Sequence, residues 1–215
     1  MLKDENDLLL YAVTDRKCLR EGIKLEDAVQ DAISGGAGMI QLREKNMDTI
    51  QMMNEAVLIH RICEHMNVPL IINDDIKIAA IVNADGVHVG QEDMAVSDAR
   101  KKLGNKKIIG ATAHNVKEAL EAERQGADYI GAGAVFGSVT KSDTSPLTYD
   151  GLKAICDAVK IPVVAIGGIN SSNILRLQGS GIAGAAVVSG IFAADDIKAA
   201  AKGLSDLIHQ MKGHI

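Results

Sequence analysis

Aromatic residues are scarce in this chain. Its 215 residues include no Trp, three Tyr and two Phe, and the formal net charge is −5. Proteins that bind nucleic acids usually present a basic surface, and those that bind single strands stack bases on aromatic rings. The composition therefore argues against nucleic acid as a partner.

Cysteines and long apolar runs are also few. Cys18, Cys63 and Cys156 are odd in number and far apart, which argues against a disulfide framework or a zinc site and favours the reducing cytoplasm. The longest apolar runs, at residues 161–169 and 182–188, are short and interrupted by Gly, and the first residues of the chain are charged. We therefore expect neither a membrane span nor an export signal.

Linker-like segments are missing as well. Gly is abundant, with 21 residues, and Pro is rare, with three, yet no Gly/Ser/Pro-rich stretch divides the chain. With 47% hydrophobic residues, a chain of this length can bury a full core. We expect one domain that spans residues 1–215.

Eight short apolar runs recur along the chain, each followed by a segment with the apolar spacing of a helix. The runs lie at residues 8–13, 36–41, 68–72, 83–88, 107–111, 126–131, 161–166 and 182–187. Eight strands that alternate with eight helices predict a parallel (β/α)8 TIM barrel. The alternative is a doubly wound open sheet, but the Gly-rich fingerprint expected after its first strand is replaced by VTDRK at residues 13–17.

Polar residues follow the second strand, at the barrel face where active sites of this fold lie. Gln41, Arg43 and Lys45 share one face by the two-residue period of a strand, and the residues between them face the helices. This pattern predicts two cations and an amide in the barrel mouth. The alternative is a solvated strand end in which Arg43 and Lys45 pair with Glu44.

Carboxylates follow the third and fourth strands. Asn73, Asp74 and Asp75 end the third strand, where one Asp is expected to cap the next helix. Further acids follow the fourth strand at residues 90–93. Hard oxygen ligands from neighbouring loops suit Mg²⁺, which also coordinates substrate phosphates. Loop acids without a metal are the alternative.

The last three loops carry groups that suit a phosphate. Ser138, Thr140 and Lys141 lie in a long segment after the sixth strand, and we expect them to hydrogen-bond and neutralise an anion, unless the loop is simply solvated. The seventh and eighth strands end in Gly-containing turns at residues 166–168 and 188–190. Backbone N–H groups at such turns can approach a phosphate closely, and these two loops are the usual phosphate site of the fold.

Two histidines lie near these strand ends. His88 alternates with Val87 and Val89, so it faces the barrel interior, where a hydrogen-bonded core histidine is the favoured interpretation and a functional role stays open. His114 lies beside the rim and is a weaker candidate.

Seven short motifs run in order from the first strand to the last helix. They are YAVTD at residues 11–15, QLREK at 41–45, IND at 72–74, GVHVGQED at 86–93, TK at 140–141, AIGGI at 165–169 and VSGI at 188–191. As a set they closely resemble the motifs of the thiamine-phosphate synthase family.

The resemblance implies two small phosphorylated substrates, 4-amino-5-hydroxymethyl-2-methylpyrimidine diphosphate and 4-methyl-5-(2-hydroxyethyl)thiazole phosphate. The products would be thiamine phosphate and pyrophosphate, formed by a dissociative reaction with one Mg²⁺ per active site. Pyrophosphate would leave first, and the thiazole nitrogen would then attack the cationic pyrimidine methylene. The resemblance implies a cytoplasmic transferase and leaves a homo-oligomer open.

The resemblance also assigns residues to three groups. The pyrimidine diphosphate would be bound by Gln41, Leu42, Arg43, Glu44, Lys45, Asn73, Thr112 and Lys141, of which Arg43, Lys141 and Thr112 would act in catalysis. The thiazole phosphate would be bound by Ser138, Val139, Thr140, Gly168, Val188 and Ser189, and Mg²⁺ by Asp74 and Asp93.

Two positions depart from the family pattern. Thr112 stands where the family usually has Ser, which retains the hydroxyl, and Gly137 stands where Pro often precedes the strand-6 loop residues. The nearest alternative function is the related thiazole tautomerase, which needs a proton-transferring residue and no metal-diphosphate site. A sugar-phosphate epimerase or aldolase barrel and a non-enzymatic thiazole-phosphate sensor are more distant alternatives.

Overall fold

Eight parallel strands form a closed barrel in the computed structural model of the chain, which describes residues 5–45, 47–137 and 146–213. The strands are β1 (Leu10–Val13), β2 (Met39–Leu42), β3 (Leu70–Asn73), β4 (Gly86–Val89), β5 (Ile108–Ala113), β6 (Tyr129–Gly133), β7 (Val163–Ile166) and β8 (Gly184–Val187). Each strand pairs with the next, and β8 pairs with β1, with Ala186 opposite Tyr11. The predicted (β/α)8 barrel is confirmed.

Helices surround the barrel. They are α1 (Leu25–Ser34), α2 (Thr49–His65), α3 (Ile76–Ile81), α4 (Val96–Leu103), α5 (Val116–Arg124), α6 (Tyr149–Ala158), α7 (Ser189–Phe192) and α8 (Ile197–Lys212), with 3₁₀ turns at Glu5–Leu8, Arg16–Cys18 and Ile174–Leu177. Across residues 5–45, 47–137 and 146–213, no helix has the length and apolarity needed to cross a bilayer.

The connection after β7 is a 3₁₀ turn, whereas the strand–helix alternation predicts an α-helix there. Asn170 accepts hydrogen bonds from the backbone N–H and the hydroxyl of Ser172, and Asn173 accepts one from the N–H of Asn170. Side-chain bonds of this local kind compete with the hydrogen bonds of an α-helix. They account for the shorter turn.

The predicted helix cap after the third strand is present, and a second cap begins α5. The Asp75 carboxylate accepts the backbone N–H of Ile78 at 2.9 Å at the start of α3. At the start of α5, the Asn115 side chain accepts the backbone N–H of Glu118 at 3.0 Å. The Glu118 carboxylate in turn accepts the backbone N–H of His114. The helices therefore begin where acidic or amide side chains can satisfy their first N–H groups.

The sheet separates two apolar layers. Ile40 and Leu42 of β2 belong to the larger layer, between the barrel and the helices. Tyr11, Met39 and Tyr129 belong to a smaller cluster inside the barrel. The alternation of side chains along each strand therefore decides which residues face the helices and which face the barrel axis.

Arg100 on α4 links elements at the amino end of the barrel. Its guanidinium donates to the carbonyl oxygens of Lys107 and Gly126 at 2.7 and 2.8 Å, and to the Asp128 carboxylate at 2.6 Å. Asp128 also accepts the backbone N–H of Ile109 at 2.7 Å. The pair thus joins α4, β5 and the turn before β6, far from the carboxyl ends of the strands.

Replacing Arg100 should lower stability and leave catalysis intact. Arg100→Met should reduce the free energy of unfolding by about 2–4 kcal/mol, because Asp128 and two carbonyls lose a charged donor in a partly buried place. Urea unfolding measures this loss. Arg124→Met is the control, since it breaks only the exposed pair with Glu121 and should cost little. Equal losses in the two variants would contradict the role given to Arg100.

Candidate active site

A cavity of about 360 Å³ opens at the carboxyl ends of the strands. Every strand contributes to its wall through at least one residue. The strand residues that line it are Tyr11, Val13, Gln41, Asn73, His88, Thr112, Gly131, Gly133, Val164, Ile166 and Ala186. The cavity lies on the face that carries the active site in barrels of this type.

Seven of the predicted site residues line this cavity. Gln41, Arg43, Asn73 and Thr112 come from β2 to β5 or the residue after β2, and Gly168, Val188 and Ser189 follow β7 and β8. In the closed order of strands these two sets lie on different sides of the barrel. The cavity therefore has one wall rich in polar side chains and another built from glycines, apolar side chains and Ser189.

Three other residues of the QLREK motif do not line the cavity. Leu42 is fully buried among the apolar side chains between barrel and helices. β2 ends at Leu42, so the two-residue alternation that placed Lys45 in the mouth stops before it, and Lys45 is exposed. Glu44 turns away from the cavity toward Arg16.

Glu44 belongs to a cluster with Arg16 and Glu55. The Arg16 guanidinium lies 2.9 Å from the Glu55 carboxylate and 3.6 Å from that of Glu44. Burial raises the pKa of the Glu44 and Glu55 carboxyls, and the Arg16 charge partly offsets this effect. Neither Arg43 nor Lys45 pairs with Glu44 in the ion pairs of the described residues.

Arg43 enters the cavity with its charge only loosely engaged. Its side chain is 12% exposed, and its guanidinium lies 3.8 Å from the Asp15 carboxylate, beyond hydrogen-bond distance. The Thr14 hydroxyl accepts the backbone N–H of Arg43 at 2.9 Å and fixes the chain at this point. The backbone of Arg43 is thus fixed, while its guanidinium donors can serve an anionic ligand.

Asp74 and Asp93 lie in adjacent loops at the same end of the barrel. Asp74 has a φ of 64°, its N–H donates to the carbonyl oxygen of His88 at 2.9 Å, and Asn73 donates to its carboxylate at 2.6 Å. Asp93 accepts the N–H of Gly90 at 2.8 Å. Both carboxylates are oriented by these bonds, although neither is part of the cavity wall.

The loop after β6 contains four predicted site residues, Ser138, Val139, Thr140 and Lys141, which lie outside the described residues. Gly137, just before them, has a φ of 79°. Proline cannot adopt that angle because its ring fixes φ near −65°. A proline could therefore not replace Gly137 in this backbone conformation.

Gly168 is required for a reason that the sequence did not indicate. Its φ is 66°, and a Cβ there would lie 2.8 Å from the carbonyl oxygens of both Phe136 and Gly137. Its own carbonyl accepts a hydrogen bond from the Asn173 amide at 2.9 Å. Glycine thus allows the β7 loop to pack closely on the start of the β6 loop.

A hydrogen-bond network of five side chains crosses the barrel at the floor of the cavity. Gln41 Nε2 donates to the Tyr11 hydroxyl at 2.7 Å, and that hydroxyl lies 2.9 Å from the hydroxyl of Tyr129. His88 connects Tyr129 to Thr112, with Nδ1 and Nε2 each 3.0 Å from a hydroxyl oxygen. Burial raises the pKa of both tyrosines, so both hydroxyls stay protonated near neutral pH.

Tyr129 is not among the predicted site residues, although the sequence contains a signal for it. Tyr11 and Tyr129 are two of the three tyrosines in the chain, and each lies in a predicted barrel strand. A buried tyrosine needs a partner for its hydroxyl, so two such residues on inward-facing positions predict a polar contact inside the barrel.

The expectation that His88 is a hydrogen-bonded interior histidine is confirmed.

His114 also lines the cavity, at its edge. Its Nδ1 lies 2.9 Å from the Glu118 carboxylate, which in turn accepts the His114 backbone N–H. Partial burial favours the neutral form of Glu118, but the backbone and side-chain hydrogen bonds from His114 and the side-chain bond from Asn115 keep its pKa below the usual value. His114 and Glu118 thus interact with each other at the start of α5.

Comparison with known proteins agrees with this geometry. A family model described as thiamine monophosphate synthase matches residues 10–191. The thiamine-phosphate synthase of Clostridium acetobutylicum is 48% identical over 202 residues, covering 94% of this chain and 95% of that protein, and that of Clostridium novyi is 49% identical over 199 residues, covering 92% and 97%.

A solved structure gives the same result. Thiamine phosphate pyrophosphorylase from Pyrococcus furiosus superposes with a TM-score of 0.88 at 37% identity, covering 96% of this chain and 98% of that one. The matches to the family model and to the relatives each cover most of the barrel, including the strands that build the cavity. On this basis the chain is a member of the thiamine monophosphate synthase family.

Proposed function

We propose that this chain is a transferase that joins 4-amino-5-hydroxymethyl-2-methylpyrimidine diphosphate to 4-methyl-5-(2-hydroxyethyl)thiazole phosphate, giving thiamine phosphate and pyrophosphate. The observation that carries the proposal is the two-walled cavity, in which Arg43 and three polar side chains face the turns after β7 and β8. Its volume lies within the roughly 300–1,000 Å³ that small-molecule sites occupy. Synthase relatives at 48–49% identity support the same reaction.

The polar wall is assigned to the pyrimidine diphosphate. Gln41, Asn73 and Thr112 offer hydrogen-bonding groups for the ring, and Arg43 offers a charged, planar donor for the diphosphate. Negative charge grows on the pyrophosphate as its bond to the methylene breaks, so a preoriented guanidinium stabilises the transition state more than the substrate. We assign Leu42, Glu44, Lys45 and Lys141 to the same group by family resemblance.

The second wall is assigned to the thiazole phosphate. Gly168, Val188 and Ser189 line the cavity, we assign their backbone N–H groups to the phosphate, and we add Ser138, Val139 and Thr140 by resemblance. The thiazole nitrogen that attacks carries no proton. The proposed reaction therefore needs no general base on this wall.

Asp74 and Asp93 are the residues that would hold one Mg²⁺. Their carboxylates are hard oxygen donors from adjacent loops, and the contacts with Asn73 and Gly90 orient them. Mg²⁺ usually keeps several waters and binds one or two carboxylates together with substrate phosphates, so two carboxylates are enough for such a site. When bound, Mg²⁺ would neutralise the charge of the departing pyrophosphate.

Further assignments follow from this function. The thiazole tautomerase alternative is not favoured, because the relatives named above are synthases. We propose a cytoplasmic location, which suits the three unpaired cysteines Cys18, Cys63 and Cys156. We also propose that residues 1–215 form one barrel domain.

One assay tests the proposed function. The purified chain, incubated with both substrates and Mg²⁺, should release thiamine phosphate and pyrophosphate, identified by mass spectrometry. Omitting either substrate is the control. Absence of product with a folded protein would refute the synthase function, and conversion of the thiazole substrate alone to an isomer would indicate the tautomerase.

Removing a proposed metal ligand should change the need for metal. Asp93→Asn should raise the Mg²⁺ concentration for half-maximal activity at least about tenfold, since even outer partners of metal ligands have effects of that size. The thiazole phosphate KM should stay near its original value. Glu92→Gln, in the same exposed turn, is the matched control and should behave as the unmodified chain. Full activity in excess EDTA would remove Mg²⁺ from the mechanism.

Removing the guanidinium in the cavity should slow the reaction itself. Arg43→Met should lower kcat by about 10²- to 10³-fold, the loss found when one preoriented donor to a developing charge is removed. Arg61→Met, on the exposed side of α2, is the control. Steady-state kinetics with each substrate varied in turn would test this. An unchanged kcat would mean that Arg43 only stabilises the loops after β1 and β2 and does not act on the diphosphate.

A further inference from the structure

Tyr129 occupies the centre of the hydrogen-bond network that runs Gln41–Tyr11–Tyr129–His88–Thr112. The Tyr129 side chain is fully buried, and Tyr129 is the one residue of this hydrogen-bond network that does not line the cavity. It therefore cannot touch a substrate in the cavity directly. Any effect of Tyr129 on the reaction has to pass through Tyr11 on one side or His88 on the other.

With the Gln41 amide as donor to Tyr11, we assign this hydrogen-bond network the order in which the protons of both tyrosine hydroxyls have an acceptor within it. Tyr11 accepts an N–H of Gln41, so its own proton goes to Tyr129. In this assignment Tyr129 donates its single proton to His88 Nδ1, which gives the neutral imidazole its proton on Nε2, where it is donated to Thr112. Because each link fixes the next, Tyr129 couples the orientation of the Gln41 amide to that of the Thr112 hydroxyl.

This order decides which hydrogen-bonding group Gln41 and Thr112, at the two ends of the network, present to the cavity. Gln41 uses its NH₂ group on Tyr11 and presents its carbonyl oxygen as an acceptor. Thr112 accepts from His88 and presents its hydroxyl proton as a donor. A 4-aminopyrimidine offers the complement, since its exocyclic N–H groups donate and the neighbouring ring nitrogen accepts. A 4-oxopyrimidine offers the reverse, an acceptor oxygen beside a ring N–H.

The barrel makes space for this network with glycines. A Cβ at Gly110 would lie 2.1 Å from Cζ of Tyr129, and a Cβ at Gly131 would lie 3.0 Å from Cε1 of His88. Both glycines are on strands, where the residue type is disfavoured. The local sequence thus gives up strand-forming residues to keep the Tyr129 and His88 rings in these positions.

We infer that Tyr129 is a positioning residue that sets the specificity for the 4-amino group of the pyrimidine, by fixing Gln41 as an acceptor and Thr112 as a donor. The inference rests on the proposed synthase function and deepens it. Tyr129 touches no substrate. Without the Tyr129 hydroxyl, Gln41 and Thr112 are no longer coupled by hydrogen bonds. Each side chain can then reorient to bind a pyrimidine whose donor and acceptor are reversed.

The test compares two pyrimidine diphosphates on the Tyr129→Phe variant. The 4-amino compound is used as the substrate, and its 4-oxo analogue as a competitive inhibitor. In the unmodified chain the analogue should bind much more weakly than the substrate, because its donor and acceptor are reversed. In Tyr129→Phe the ratio of the analogue's Ki to the substrate's KM should fall about five- to tenfold, the effect of one buried hydrogen bond. The KM for thiazole phosphate should not change.

Tyr149→Phe is the matched control. Tyr149 is the third tyrosine of the chain, and its hydroxyl donates to the Gln178 carbonyl on the outside of the barrel. The substitution removes the same atom and should leave the Ki/KM ratio as it was. If Tyr129→Phe does not fold, Tyr11→Phe interrupts the same network next to Gln41 and should lower the ratio likewise.

Two results would overturn the inference. One is an unchanged Ki/KM ratio in a folded Tyr129→Phe variant. The other is an equal weakening for the pyrimidine and thiazole substrates together with a lowered Tm, which would make Tyr129 a structural residue only. Both differ from failure of the proposed function, in which the unmodified chain itself forms no thiamine phosphate.

Discussion

Pairing between the first and the last strand closes the sheet, and the site depends on this closure. Leu10, Tyr11 and Ala12 lie opposite residues 185–187 in parallel register. A parallel sheet that closes places all of its strand ends on one rim, so polar groups separated by more than a hundred residues face one cavity. Gln41 and Ser189 belong to the same site for this reason alone.

Much of this architecture could be predicted from the sequence, because it follows from local periodicity. Eight apolar runs with helical segments between them give the barrel, and the two-residue period of a strand separates Leu42 from its neighbour Gln41. Capping side chains such as Asp75 and Asn115 also mark helix starts, since an N-cap acts within three residues. These features need no knowledge of distant contacts.

Other features could not be predicted, because they depend on where a strand ends or on what lies across the barrel. Lys45 was expected in the mouth, but β2 stops at Leu42 and the alternation ends there. Glu44 pairs with Arg16 from the preceding loop, which spacing within the motif does not indicate. The contact between Tyr11 and Tyr129 joins residues 118 positions apart, and only closure of the barrel brings them within 2.9 Å.

The close fit between glycine and ring also bears on how the sequence can change. Gly110 leaves the space that the Tyr129 ring fills, and Gly131 leaves space for His88. A larger residue at 110 is tolerated only when the residue at 129 becomes smaller, so the two positions are epistatic. Homologues should exchange them as a pair. A mutagenesis library that varies one position at a time will find residue 110 closed to larger side chains, whereas a library that varies residues 88, 110, 129 and 131 together can reach new pyrimidine specificities.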